Sequence, residues 1–94
     1  MITHIVFFKF KDASHIAKAK NDLLALKAKI PQIRYLEVGV DILRTERSYD
    51  LALVTKFDSL EDLQSYQVHP AHQEFVKFIA EVKESVVAVD YESA

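Results

Sequence analysis

The stretch Ile2-Thr3-His4-Ile5-Val6-Phe7-Phe8-Lys9-Phe10 decides the architecture. Its β-branched and aromatic side chains fit a pleated surface, and it reads as a strand. Alternation places Ile2, His4, Val6, Phe8 and Phe10 on one face, with Thr3, Ile5 and Phe7 before Lys9 on the other. A strand that is apolar on both sides is covered on both sides, so something must lie against each face of the sheet it joins.

Working outward, Asp12 or Ser14 can cap a helix whose apolar stripe runs Ile16, Ala19, Leu23, Leu26, Ile30, with Lys18, Lys20, Lys27 and Lys29 largely outside it. Pro31 stops it. Residues 33–43 read as a second strand holding the only glycine, Gly39, at an expected bulge or close backbone approach. A polar loop, 44–48, leads to a third strand at 49–57. Asp58 and Ser59 then offer caps to a short helix through Leu60, Leu63 and Tyr66, with Glu61 and Asp62 in its first turn. Pro70 interrupts that helix and suits the first turn of another, carried by Phe75, Phe78, Ile79 and Val82 and starting near His69. Residues 86–91 form the last strand. The order is βαββαβ, an α+β pattern, and right-handed crossovers put both helices on one face of a four-stranded antiparallel sheet. The opposite face is left bare. Each large apolar side chain left in water forfeits roughly 1.5–3 kcal/mol of burial, so a second copy of the chain is expected against it, as a twofold homodimer.

The totals agree with one compact domain over residues 1–94. Half the residues are apolar, and there are one glycine, two prolines and no cysteine. That leaves no disulfide framework, thiol nucleophile or thiolate metal site, and a small chain without such staples fits a reducing, cytoplasmic setting. No basic leader precedes the first apolar run, so a signal peptide is not expected. No stretch approaches the ~20 apolar residues of a membrane span. A formal net charge of −2 with lysines spread among acids gives no field for a nucleic-acid partner.

Chemistry concentrates in Tyr66-Gln67-Val68-His69-Pro70-Ala71-His72, which holds two of the four histidines around a helix break. His72 precedes Phe75 by three residues and Ile79 by seven, which puts it on the core-facing side of its helix. His4 shares a register with Val6 and Phe8 and can approach from the sheet. A neutral imidazole takes a proton near neutral pH, and a tyrosine hydroxyl polarises a carbonyl or holds an enolate oxygen. Together they suit removal of a proton beside a carbonyl. Plain structural roles stand next to these: His72 as a satisfied core residue, His69 as the cap of the helix begun by Pro70, and Tyr66 as a core aromatic. Three histidines could gather on a metal, but no carboxylate is placed with them and the spacing is not H-x-x-x-H, so no metal is expected. His15, at a helix start among lysines, is expected in solvent.

The opening His4-Ile5-Val6-Phe7-Phe8-Lys9-Phe10-Lys11 resembles the stress-responsive A/B barrel (Dabb) family. So do Val38-Gly39-Val40-Asp41, Tyr49-Asp50-Leu51, the run 57–63, Tyr66-x-x-His69-Pro70-x-His72 and Val89-Asp90-Tyr91. The resemblance spans nearly the whole chain and implies a ferredoxin-like fold paired into a dimeric α/β barrel. It does not fix one activity, since the family includes plant stress-induced proteins as well as the plant olivetolic acid cyclase, which closes a poly-β-keto chain by an aldol reaction without metal or organic cofactor. Carried over from that cyclase, Tyr66 and His72 would be the catalytic pair, with His4 in the cavity wall. The expected lining is His4, Val6, Phe8, Leu23, His69 and Phe75. Should Phe8, Leu23 and Phe75 fill that space, the core would instead be solid. Two functions therefore stay open: a cofactor-independent, aldol-type lyase or cyclase acting on a small carbonyl-bearing metabolite, and a non-enzymatic stress or assembly protein in which the same residues are structural. For a heme-dependent or monooxygenase-type role no distinguishing residue is present.

Overall fold

The computed structural model describes residues 1–94. Strand β1 spans Ile2–Phe10 and a short 3₁₀ turn spans Ala13–His15; helix α1 (Ile16–Lys29) and strands β2 (Tyr35–Val40) and β3 (Leu51–Phe57) follow. Helices α2 (Leu60–Val68) and α3 (Pro70–Val82) then lead into strand β4 (Lys83–Glu92). The sheet order is β2-β3-β1-β4, every neighbouring pair antiparallel. Each helical connection therefore crosses over one strand, the split βαβ arrangement that leaves all helices on one side. The core lies between the two layers and gathers Val6, Phe8 and Phe10 of β1 with Leu23 and Leu26 of α1, Leu51 and Leu53 of β3, and Phe75 and Ile79 of α3.

Local chemistry sets the boundaries. Asp12 accepts from the Ser14 N–H and so opens the 3₁₀ turn rather than the main helix, which starts three residues later. Ile30 is extended because the residue before a proline avoids the helical region, and α1 ends at Lys29. Ser59 caps α2 by accepting from the Asp62 N–H at 3.1 Å. His69 ends α2 and caps α3, its Nδ1 accepting from the Ala71 N–H at 3.1 Å, with Pro70 in the first turn as expected.

Four expectations need correction. Strand β2 stops at Val40 rather than residue 43, and Ile42 and Leu43 are exposed in the following loop. The turn there is fixed by polar groups: Asp41 accepts from the Arg44 N–H, Arg44 takes a left-handed φ of 54°, and the Arg44 guanidinium reaches buried Asp50 at 2.7 Å. Asp50 also accepts from the Phe10 N–H, which moves the start of β3 to Leu51. Burial raises the Asp50 carboxyl, but the Phe10 N–H and Arg44 outweigh it and hold it below the ordinary carboxylate value. Gly39 is neither bulged nor closely approached: it pairs regularly with Ala52, and nothing lies within 4 Å of where a Cβ would stand. At the other end β4 begins at Lys83, directly off α3, where residue 86 had been expected.

On the side away from the helices, pairing aligns Ile5 with Val54 and Val89, and Phe7 with Ala52 and Val87. This face carries no layer of its own. Phe7, Val87, Val89 and Tyr91 are all exposed there.

Candidate active site

The helix side is not filled. A cavity of about 270 Å³ lies between α3 and the β1–β4 half of the sheet, lined by fifteen residues of which eleven are hydrophobic. Among them are His4, Val6 and Phe8 from β1, Leu23 from α1, Tyr66 at the end of α2, and His72 and Phe75 from α3. Phe8, Leu23 and Phe75 are its walls rather than a plug. His69 is not part of the lining; its imidazole is spent on the Ala71 N–H, so its expected place in the cavity is corrected to the capping role.

The helix break gathers the polar groups. Because α2 ends at Val68 and α3 restarts at Pro70, Tyr66 and His72 come together across the junction, with ring centroids 4.4 Å apart. His4 approaches from the sheet, its ring edge-on to Tyr66 at 6.0 Å.

Hydrogen bonding assigns the protons. His72 Nδ1 lies 3.0 Å from the Gln67 carbonyl, which can only accept, so Nδ1 carries the hydrogen and Nε2 keeps the lone pair. Burial lowers the affinity of His72 for a second proton, the Gln67 carbonyl works against that effect, and His4 and His69 add a small repulsion. The net result is a ring that is neutral at pH 7 with one basic nitrogen. Tyr66 is fully buried, and burial pushes its phenol well above the ordinary value, so it stays protonated. Its hydroxyl has no hydrogen-bond partner, one of only two buried side-chain polar atoms in that condition. Such a group costs about 1–3 kcal/mol, which an acceptor oxygen on a bound molecule would recover.

The residue that sequence reasoning missed is Asp90. Its Oδ1 is hydrogen-bonded to His4 Nδ1, so a carboxylate orients the imidazole and leaves Nε2 as its free position. The signal was partial: Asp90 stands two residues from Ala88 and four from Val86 on the helix-facing register of β4, a carboxylate following two apolar residues. No group of three His, Asp or Glu side chains is arranged to hold a metal ion. No helix is long and apolar enough to cross a membrane.

A four-stranded antiparallel sheet with its helices on one side and a polar constellation inside defines a ferredoxin-like α+β protein. Comparison with known proteins makes this specific. Residues 2–93 match the family described as Stress responsive A/B Barrel Domain, and the chain belongs to that family. An uncharacterized protein of Streptomyces coelicolor is 32% identical over 97 residues, covering 98% of this chain and 99% of its own. Among solved structures, a dimeric ferredoxin-like protein of unknown function from Bacteroides fragilis has a TM-score of 0.87 at 37% identity, covering 98% of this chain and 95% of that one. The hydroxynitrile lyase of Passiflora edulis has a TM-score of 0.86 at 22% identity, covering 99% and 93%, a likeness of fold.

Proposed function

We propose that the cavity is an active site for proton transfer beside a carbonyl, of the aldol type, and that each protomer of a homodimer carries one. The observation that bears most weight is the Tyr66 hydroxyl: buried, protonated and without a protein partner, in the wall of an apolar cavity beside a neutral histidine. In this reading a substrate carbonyl oxygen accepts from the Tyr66 O–H. His72 Nε2 removes a proton from the adjacent carbon, and the C–H electron pair moves into an enolate whose oxygen Tyr66 holds. The enolate carbon then attacks a second carbonyl of the same chain, and the proton on His72 goes to the resulting alkoxide. The apolar walls hold the chain folded, and such orientation can supply up to about 7–11 kcal/mol.

The homodimer rests on the uncovered sheet face with Phe7, Val87, Val89 and Tyr91, and on the dimeric state of the Bacteroides fragilis relative. With that face given to the partner, the helix-side cavity stays free.

A second reading, that Tyr66 is a core aromatic in a non-enzymatic protein, is favoured by its packing on Phe57, with centroids 5.0 Å apart. One experiment separates the two. Deuterium exchange at the carbons flanking the ketone of 2-octanone, followed by proton NMR, should be accelerated by the protein. His72→Ala should reduce that acceleration by about 10²–10⁴-fold, and Tyr66→Phe by about 10²-fold. If the wild-type protein does not accelerate exchange, or His72→Ala only lowers the melting temperature, the structural reading stands instead.

A further inference from the structure

Four of the fifteen cavity-lining residues are not hydrophobic: His4, Gln67, His72 and Lys83. Three of these belong to the cluster around Tyr66 or neighbour it in sequence. Lys83 lies elsewhere. It is the first residue of β4 and pairs with Phe10, whereas Asp90, which holds His4, pairs with His4 itself. Five residues of β1 therefore lie between the two ends, six steps or about 20 Å of strand, with Val6, Phe8, Val86 and Ala88 on the helix-facing register between them.

Lys83 is also the one fully charged side chain in the lining, and it takes part in none of the ion pairs. The neighbouring Glu84 is turned to Lys9, on the opposite register of the strand pair. The lining thus has the Tyr66, His72 and His4 cluster at one end, an apolar middle, and the exposed Lys83 at the other end. The cavity's 270 Å³ corresponds to about nine water volumes, room for a ligand portion of about ten non-hydrogen atoms.

Resting on the reading of the site given above, we infer that the ligand is a short-chain oxo acid: its reacting carbonyls lie at Tyr66 and His72, and past the apolar middle a carboxylate at the far end is held by Lys83. The lysine acts as a point charge at the rim, so it selects the anion without demanding bidentate geometry. Because the rim is solvent-accessible, the selection weakens as salt rises.

The probes are 7-oxooctanoate and its methyl ester, with binding measured by titration calorimetry on the full chain at low and high salt. The wild-type protein should bind the acid about three- to tenfold more tightly than the ester at low salt, Lys83→Met should abolish that preference, and Lys83→Arg should keep it. Lys83 is exposed, so these variants should fold; unchanged circular dichroism checks this. Equal binding of acid and ester by the wild type, a preference that survives Lys83→Met, or no binding of either at millimolar concentration overturns the inference. The proton-transfer reading is scored separately by exchange at the ketone. Acid preference without exchange leaves the Lys83 subsite standing and removes the catalytic one, while exchange without acid preference does the reverse.

Discussion

At the scale of single residues, the site is a matter of which nitrogen is free. The Gln67 carbonyl fixes the tautomer of His72, and burial keeps that ring neutral. Burial also ties it to stability. In the unfolded chain His72 titrates near its ordinary value of 6.5, and in the fold it titrates lower. Below pH 6.5 the unfolded state therefore binds more protons, so the contribution of this residue is complete above 6.5 and declines as pH falls toward the folded value. The melting temperature should drop from about pH 8 to about pH 5, and His72→Gln should flatten that slope. Thermal unfolding monitored across the range checks it, and an identical slope in the variant would contradict the assignment. His4 shows what was legible and what was not. Its register with Val6 and Phe8 already placed it toward the helices, but its tie to Asp90 depends on the pairing of β1 with β4, which no local pattern encodes.

At the scale of elements, the decisive feature is the interruption at His69–Pro70. A continuous helix from Leu60 onward would not turn Tyr66 and His72 toward each other in this way. Proline at the first turn and a histidine acceptor at the cap were both readable in the sequence, because each acts within a few residues. Replacing His69 by Ala should cost about 1 kcal/mol of stability, as loss of a helix cap does, and Asn at the same position should restore most of it. Urea denaturation measures both; equal stability of the Ala and wild-type proteins would remove the capping role. Where sequence reading erred, a nonlocal partner had decided the outcome. Ile42 and Leu43 extend an apolar run and look like strand, yet Asp41 and Asp50 bend the chain there through Arg44, and Asp50 is held by Phe10 forty positions away. The cavity itself was not legible, since a void is set by how far α3 stands from the sheet and not by the identity of the residues around it.

At the scale of the whole molecule, the sheet divides the work between its faces. In the proposed dimer, exposed Phe7, Val87, Val89 and Tyr91 make one side the surface for a second copy, and the other side holds the cavity. Phe7→Asp places a charge in the middle of the first and should convert a dimer to a monomer in sedimentation experiments at micromolar concentration, while leaving the far-ultraviolet spectrum intact. A wild-type protein that already sediments as a monomer would rule out this division. The position of β4 carries one more consequence. It is an edge strand bonded only to β1, yet it supplies Lys83, Val86, Ala88 and, through Asp90, the orientation of His4. β4 is exposed along most of its length, the character of a segment that opens locally ahead of a buried one. An occupant spanning α3 and β4 would act as a stitch between them, and its arrival should register as slowed amide hydrogen exchange along residues 83–92, with the central strand β3 little changed.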